Sequence, residues 1–438
     1  MDDGDEVVAR IPNPNAGPSF YTLASEVATR HFLRSILNIP VPRIYAWSSD
    51  ASNPVGAEYI MEEKANGQQL GSMWSRYSND SQLDVVNQIN EIEAKLASLS
   101  FSRHGSIYYK SDLEAKEVSY EPLGPSIVGI TPSQTKGAHL ENFAIGPSTN
   151  PRHWTDQKAA MNLYWGPWKN MVDSAKGIGI NEINWARSFA KPRMNFQRSM
   201  EHPETPNDYV SFLQQYLKLA PYLARASQEY ENGHTISHPD LHLDNIFADP
   251  KSNRITSIID WQSATICPSS LQRKFPQFLE PVGDLPQDGP LAHYERLVKR
   301  DTLRKAIMDD QYHSIKIKPM QLVPGCWEKG DLFSLRNSLI SVTVHWESLA
   351  LDSGPCPINF TEEELESHEN EMDLIEGISS IMYQLQEEAM IALGGMVPPD
   401  IYERLKEFNK RSMNDFIDLG EDERQKALHA KVWPYPDT

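Results

Sequence analysis

The chain of 438 residues, 39% of them apolar and ten of them Trp, has ample material for a large core, as one big domain or as two lobes with appendages. A formal charge of −19 repels a polyphosphate backbone and so excludes nucleic-acid binding by general electrostatic attraction. No apolar run approaches the roughly 20 residues that cross a bilayer, so no transmembrane segment is expected. Three cysteines, Cys267, Cys326 and Cys356, lack metal-type spacing and give little support to a disulfide framework or a structural zinc site.

In chain order, the start MDDGDEVVARIP is acidic where a presequence needs positive charge, so no targeting segment is expected and the chain as written reads as cytoplasmic. A strand is predicted over Glu6 to Ile11, then a helix from about Leu23 to Leu37 with Ala24, Ala28, Phe32 and Ile36 on one stripe. The IPVP segment at 39 to 42 ends that helix, because proline cannot continue the hydrogen-bond ladder. VPRIYAWSS and AEYIMEE read as strands, and Asn66 and Gly67 as a turn. A second helix from Ser81 to about Leu99 places Val85, Ile89, Ile92 and Leu96 together.

The stretch from about Ser119 to Pro206 is irregular and rich in Pro, Gly and Trp, which predicts short helices around a packed aromatic cluster. A helix from Asp208 carries Phe212, Tyr216 and Leu219, with Pro221 marking a break or kink. Between IFAD and ITSIID, the PKSN segment predicts a hairpin turn. Beyond Arg300 the chain reads as mostly helical. Thr361 caps one helix with acidic residues behind it, and the next aligns Leu374, Ile378, Ile381 and Leu385.

The chemistry concentrates in SHPDLHLDNIFADPKSNRITSIIDW. Asp240 is followed five residues later by Asn245 and twenty residues later by Asp260, with the hairpin between the last two. Phosphoryl transfer needs a carboxylate at the attacking hydroxyl and oxygen ligands that hold Mg²⁺ against the phosphates. An antiparallel hairpin returns Asp260 beside Asn245, so these three residues supply such a set.

HPDLHLDN resembles the HGDLHPGN catalytic loop of aminoglycoside phosphotransferases, which share their fold type with choline kinases, and IIDW resembles their metal-binding segment. The resemblance implies an α+β, bilobal protein-kinase-like fold using ATP and Mg²⁺ on a small-molecule hydroxyl. It makes Asp240 the catalytic base, Asn245 and Asp260 the metal ligands, and His238 a structural loop residue. His242 falls where protein kinases place a phosphate-contacting lysine. VVARIP resembles the strand bearing a phosphate-contacting cation and SEVATRHFL the helix with its acidic partner, which makes Arg10 and Glu26 the candidate pair. EYIMEEKANG resembles the hinge, with backbone groups from Glu62 to Lys64 facing the adenine. RIPNPNAGP, NPVGAEYIMEE and CPINFTEEEL resemble the fungal altered inheritance of mitochondria group, which implies a mitochondrial association.

One departure stands at the front. No Gly-rich turn precedes Arg10, so the N-lobe is expected to be truncated, from an internal start codon or as an impaired form; GIGIN at 177 to 181 is no substitute. The expected division is a partial N-lobe at 1–64, a C-lobe at 65–300 and a helical extension at 301–438. Rival readings stay open. These are a non-catalytic kinase-like binding module, an H-x-D-x-H metal hydrolase, turn-forming roles for Asp240, Asn245 and Asp260, and a surface ion pair for Arg10 and Glu26. Tyr164, Trp165 and Trp168 form either a cage for an ammonium group or ordinary core.

Overall fold

The computed structural model describes residues 6–13, 17–129, 139–228, 234–279, 288–349, 354–389, 399–433 and 435. The acidic residues 1–5 and the middle of RIPNPNAGP, 14–16, lie outside them. The described chain forms two compact units, one of Met1–Ser188 with Leu213–Pro357 and one of Phe189–Phe212 with Ile358–Thr438. Residues 301–357 therefore group with the first unit and 189–212 with the second, which no division at residue 300 anticipates.

The first unit opens with strand β1 (Val7–Arg10), helix α1 (Tyr21–Ile36) and strands β2 (Ile44–Ser48) and β3 (Tyr59–Glu63). The sheet order is β1-β3-β2, antiparallel throughout, with Val8 and Ile44 both paired to Glu62. Leu23 and Val27 of α1 pack on Ile60 of the central strand, while Ala28, Phe32 and Ile36 enter the main core, as an i, i+4 stripe requires. The IPVP segment ends α1 and also ties it down: the Pro40 carbonyl accepts from the Ile258 N–H at 2.7 Å.

The turn expected at Asn66 and Gly67 is present, with Gly67 at φ +92°. A Cβ there would come within 2.5 Å of the Ala248 carbonyl oxygen, so the glycine permits close approach as well as positive φ. The two-residue strand β4 (Gln68–Gln69) follows and pairs with Phe247 and Ala248. Helix α2 (Asn79–Ala97) is capped by Ser78, whose hydroxyl accepts from the Ser81 N–H, and buries Val85, Ile89, Ile92 and Leu96. One core joins Phe32 of α1, Ile89 of α2, Leu241 of the loop, and Ile246, Ile258 and Trp261 around the hairpin. This shared core holds the loop around Leu241 in a fixed relation to both helices.

Two expectations need correction. The irregular stretch contains a 19-residue helix, Met171–Phe189, in which Gly177 and Gly179 of GIGIN are interior positions. Glycine is a poor helix former, but a Cβ at Gly177 would meet Trp168 Nε1 at 2.8 Å and one at Gly179 would meet Leu217 Cδ2 at 2.9 Å. Close packing demands the small residue and overrides propensity. The helix Pro206–Gln228 likewise runs through Pro221 without ending.

In the second unit the two helices read after Thr361 are one, Glu362–Ala389. Its start is a capping box: Thr361 Oγ1 accepts from the Glu364 N–H at 3.2 Å, and Glu364 accepts from the Thr361 N–H at 2.8 Å. Ile378 of the predicted stripe is buried, and the side chain of Leu385 lies outside those described. Arg198 and Asn195 both bind the buried Glu371 carboxylate, and the helices Tyr402–Asp418 and Glu423–Val432 stack Phe416 on His429 at 4.3 Å. Among the described residues no helix is long and apolar enough to cross a membrane.

Candidate active site

Arg10, at the end of β1, reaches Glu26 of α1 with Nη1 at 2.8 Å from Oε1. This is not an ordinary surface pair, because Glu26 is only 3% exposed. The same carboxylate receives Arg30, one helical turn on, at 3.4 Å. Arg30, 2% exposed, also binds Glu62 and donates to the Pro42 carbonyl at 3.1 Å. Two arginines and two glutamates thus form one neutral cluster between β1, β3 and α1. Burial by itself would lower the proton affinity of Arg10, but Glu26 and Glu62, with a further contribution from Asp260, raise it above its ordinary value. Arg10 is therefore held as a fixed cation in the field of the candidate metal ligand.

Glu62 does something the sequence reading did not assign. It sits in the central strand with its carboxylate turned into the cluster. The next two amides are also engaged, Glu63 N–H with the Arg43 carbonyl at 2.8 Å and Lys64 N–H with the Glu6 carbonyl at 3.4 Å. The Lys64 ammonium pairs with Glu6 at 2.9 Å on the surface. A central strand uses its backbone groups on both sides, so an adenine at this hinge would need amides beyond Lys64.

The loop after His234–Ile236 is organised by neutral buried groups. His238 donates from Nε2 to the Ile259 carbonyl at 2.8 Å and accepts at Nδ1 from the Asp240 N–H at 3.1 Å. Burial, with Trp261 edge-on at 4.5 Å, pushes its pKa down to about 4. Both nitrogens being engaged, His238 is not placed as an H-x-D-x-H metal ligand. Among the described residues no group of three or more His, Cys, Asp and Glu side chains is arranged around a metal position. Buried Asn245 donates from Nδ2 to the Asp240 carbonyl at 2.9 Å, and its own carbonyl accepts from the Ile259 N–H at 3.0 Å.

Asp240 itself keeps its side chain 53% exposed. His242 Nε2 stands 3.8 Å from Asp240 Oδ2, beyond a direct hydrogen bond, while its Nδ1 accepts from the Asp244 N–H at 3.2 Å and caps the single turn Leu243–Asn245. The hairpin pairs Ile246–Ala248 with Ile255–Ile258, and its turn is fixed by Asp249, whose Oδ1 accepts from the Lys251 and Ser252 N–H groups. Asp260 follows the last rung at φ +61°, a left-handed conformation that Asp tolerates better than most residues.

The structure thus joins Arg10 to Glu26, and Asp240 to Asn245 and His242, and leaves Lys64 apart. Arg30 escaped the sequence reading, although its i, i+4 spacing from Glu26 on a predicted helix was a usable signal. Trp165 and Trp168 are buried, Trp165 stacked on His153 at 4.8 Å, so they are core. Exposed Tyr164 borders a cleft lined by Arg103, Lys169 and Lys176 together with Glu121 and Asp173, Arg103 being paired to Glu121 at 3.2 Å.

A cation-bearing strand, a helix carrying its carboxylate partner, and a loop and hairpin ending in Asp follow one another in the order that the sequence motifs predict. The fold is α+β. No family model matches the chain. A subtelomeric hrmA-associated cluster protein of Aspergillus fumigatus is 29% identical, across 99% of this chain and 93% of its own length. The altered inheritance of mitochondria protein 9, mitochondrial, of Lachancea thermotolerans is 27% identical, across 91% of this chain and 70% of its own. These likenesses include the fungal group that the sequence motifs resemble. Among solved structures, a thermostable mutant of aminoglycoside phosphotransferase APH(4)-Ia in ternary complex with ADP and hygromycin B aligns with 80% of this chain and 88% of its own, at 15% identity and a TM-score of 0.38.

Proposed function

We propose that the chain is an ATP- and Mg²⁺-dependent phosphotransferase that acts on the hydroxyl of a small molecule. The observation that carries this reading is Arg10, held charged by buried Glu26 and lying in the field of Asp260. A fixed cation near a carboxylate of the metal-ligand type is what a triphosphate with its counter-ion requires. In this reading the exposed Asp240 carboxylate accepts the proton of the acceptor hydroxyl as the oxygen–phosphorus bond forms and ADP leaves. The bond from Asn245 to the Asp240 backbone, together with His238, fixes where that carboxylate stands. His242 stays near the carboxylate as a cap of the loop and a polar neighbour of the transferred group.

Asn245 and Asp260 fit a hard divalent cation by donor type: Nδ2 of Asn245 is committed to the Asp240 carbonyl, which leaves its Oδ1 as an oxygen donor, and the Asn245 backbone is bonded to Ile259, the residue before the Asp260 carboxylate. Magnesium held there supplies charge neutralisation of the phosphates. Thermal unfolding with and without ATP and Mg²⁺ tests the assignment. A metal-dependent rise in Tm that vanishes in Asp260→Ala supports it, because a ligand bound to the native state stabilises that state. No rise at millimolar ATP sinks the ATP dependence.

A second reading, a kinase-like module without transfer activity, is favoured by one feature: Arg10 is shared between Glu26 and, at 3.9 Å, Glu62, which offsets its charge before any phosphate arrives. Nucleotide binding without turnover on any hydroxyl acceptor would select it. The mitochondrial names of the yeast relatives support a mitochondrial association, which imaging of a C-terminally tagged gene product in its own organism checks.

A further inference from the structure

The side of α1 that bears Arg30, His31 and Arg34 opens on a cleft of about 570 Å³, walled across from it by Arg43, Tyr45 and Trp47 of the following segment and closed by Tyr109. Neither Arg10 nor Asp240 nor Asp260 lines it; it shares only Arg30 with the ion cluster of the candidate active site. Its volume falls within the range of roughly 300–1,000 Å³ common for small-molecule sites. Three arginines are among its lining residues, and no Asp or Glu is.

These cations differ in availability. Arg30 is committed to Glu26 and Glu62. Arg34 is half-exposed; its Nη1 donates to the Val41 carbonyl and is loosely opposed by Glu63, at 4.0 Å, which leaves its other guanidinium N–H groups for a ligand. Arg43 is exposed, and its guanidinium has no ion-pair partner among the described residues. In a chain of net charge −19 such a pocket selects anions locally against the overall field. Its rings select shape. Trp47 and Tyr109 stack at 6.2 Å with 25° between planes, Tyr45 is 46% exposed, and the His31 ring is anchored to the Tyr109 hydroxyl at 2.8 Å. Burial lowers the His31 pKa, so at neutral pH that ring adds hydrogen-bonding capacity without charge.

We propose that this cleft is a second ligand site, for a small molecule with a planar aromatic ring and one anionic group, phosphate or carboxylate. The ring lies against Tyr45 and Trp47, and the anion meets Arg43 and Arg34, which present planar donors suited to either group.

Calorimetric titration of the full chain with phenyl phosphate, in the absence of nucleotide, tests this, with benzyl alcohol as the uncharged counterpart. One equivalent of phenyl phosphate should bind, more weakly as salt rises, and benzyl alcohol should bind far more weakly. Arg43→Ala should weaken the affinity roughly tenfold, in line with loss of a charge-assisted hydrogen bond. Tyr45→Ala should weaken it through loss of ring contact. Both residues are exposed, so both variants should fold, which circular dichroism checks. Asp260→Ala should leave the affinity unchanged, which separates this site from the nucleotide proposal. The idea is overturned by an absence of binding at millimolar ligand, by equal affinity in both cleft variants, or by loss of binding in Asp260→Ala.

Discussion

The ion cluster beneath β3 and the loop around Asp240 use similar residue types in opposite surroundings. Glu26, Arg30 and Glu62 are almost wholly enclosed, whereas the side chains of Asp240 and Asp244 are 53% and 64% exposed. Enclosed charges must balance one another, and here two arginines meet two glutamates. Exposed carboxylates are solvated and need no such balance. The cluster is accordingly a positioning device for Arg10, while the loop offers a carboxylate to whatever approaches. The rigidity of the loop comes from neutral groups, the buried His238 and Asn245, and not from ion pairing.

The largest way to break this contrast is within the cluster. Arg30→Ala leaves Glu26 and Glu62 sharing Arg10 and strips the donor from the Pro42 carbonyl. Removing one partner from a buried ion network costs about 3–5 kcal/mol, so urea unfolding should show a loss of that order. A loss under 1 kcal/mol would mean the cluster is wet and not enclosed.

The next effect belongs to the loop and depends on pH. His238 is neutral in the native state with its pKa depressed to about 4 by burial, whereas in the unfolded chain it takes up a proton near its ordinary pH of 6.5. The unfolded state therefore binds more protons between those values. The stability tied to a neutral His238 is fully present above about pH 6.5 and is lost as pH falls towards 4, by at most about 3 kcal/mol. Unfolding measured at pH 7.5 and at pH 5 should show that decline, and His238→Gln, though less stable at both, should show a shallower one. An equal slope would assign the acid sensitivity to other groups.

What was legible in the sequence was periodic or local. The stripe Ala28, Phe32 and Ile36, the turn at Gly67, the Thr361 cap and the hairpin after Asn245 each follow from a pattern a few residues long. What was illegible depended on distant partners. Gly177 and Gly179 look like helix breakers until Trp168 and Leu217 are known to press against them. The bond between Arg198 and Glu371, which ties 189–212 to the C-terminal helices, spans 173 positions and leaves no local trace. At the site, spacing suggested Asp240, Asn245 and Asp260, but it gave no sign that Glu62 faces an arginine where a hinge contact was expected.

Two smaller effects sharpen the contrast at the boundary of the loop. Gly67→Ala forces a Cβ into the Ala248 carbonyl at a backbone angle that L side chains seldom adopt. Neither backbone yields easily, so a destabilisation of about 1–3 kcal/mol is expected, with faster hydrogen exchange at the β4 pairing. Asp240→Asn should have the least effect on stability of all. Its side chain is more than half exposed, the loop is held through its backbone by Asn245 and His238, and the exchange keeps the shape. A change within about 0.5 kcal/mol is expected. If the carboxylate is the proton acceptor in phosphoryl transfer, the same variant should bind nucleotide as before and lose turnover by orders of magnitude. A variant that is equally stable and equally active would show that the exposure of this carboxylate serves no chemistry, and the proposed division between a holding cluster and a reacting loop would fall with it.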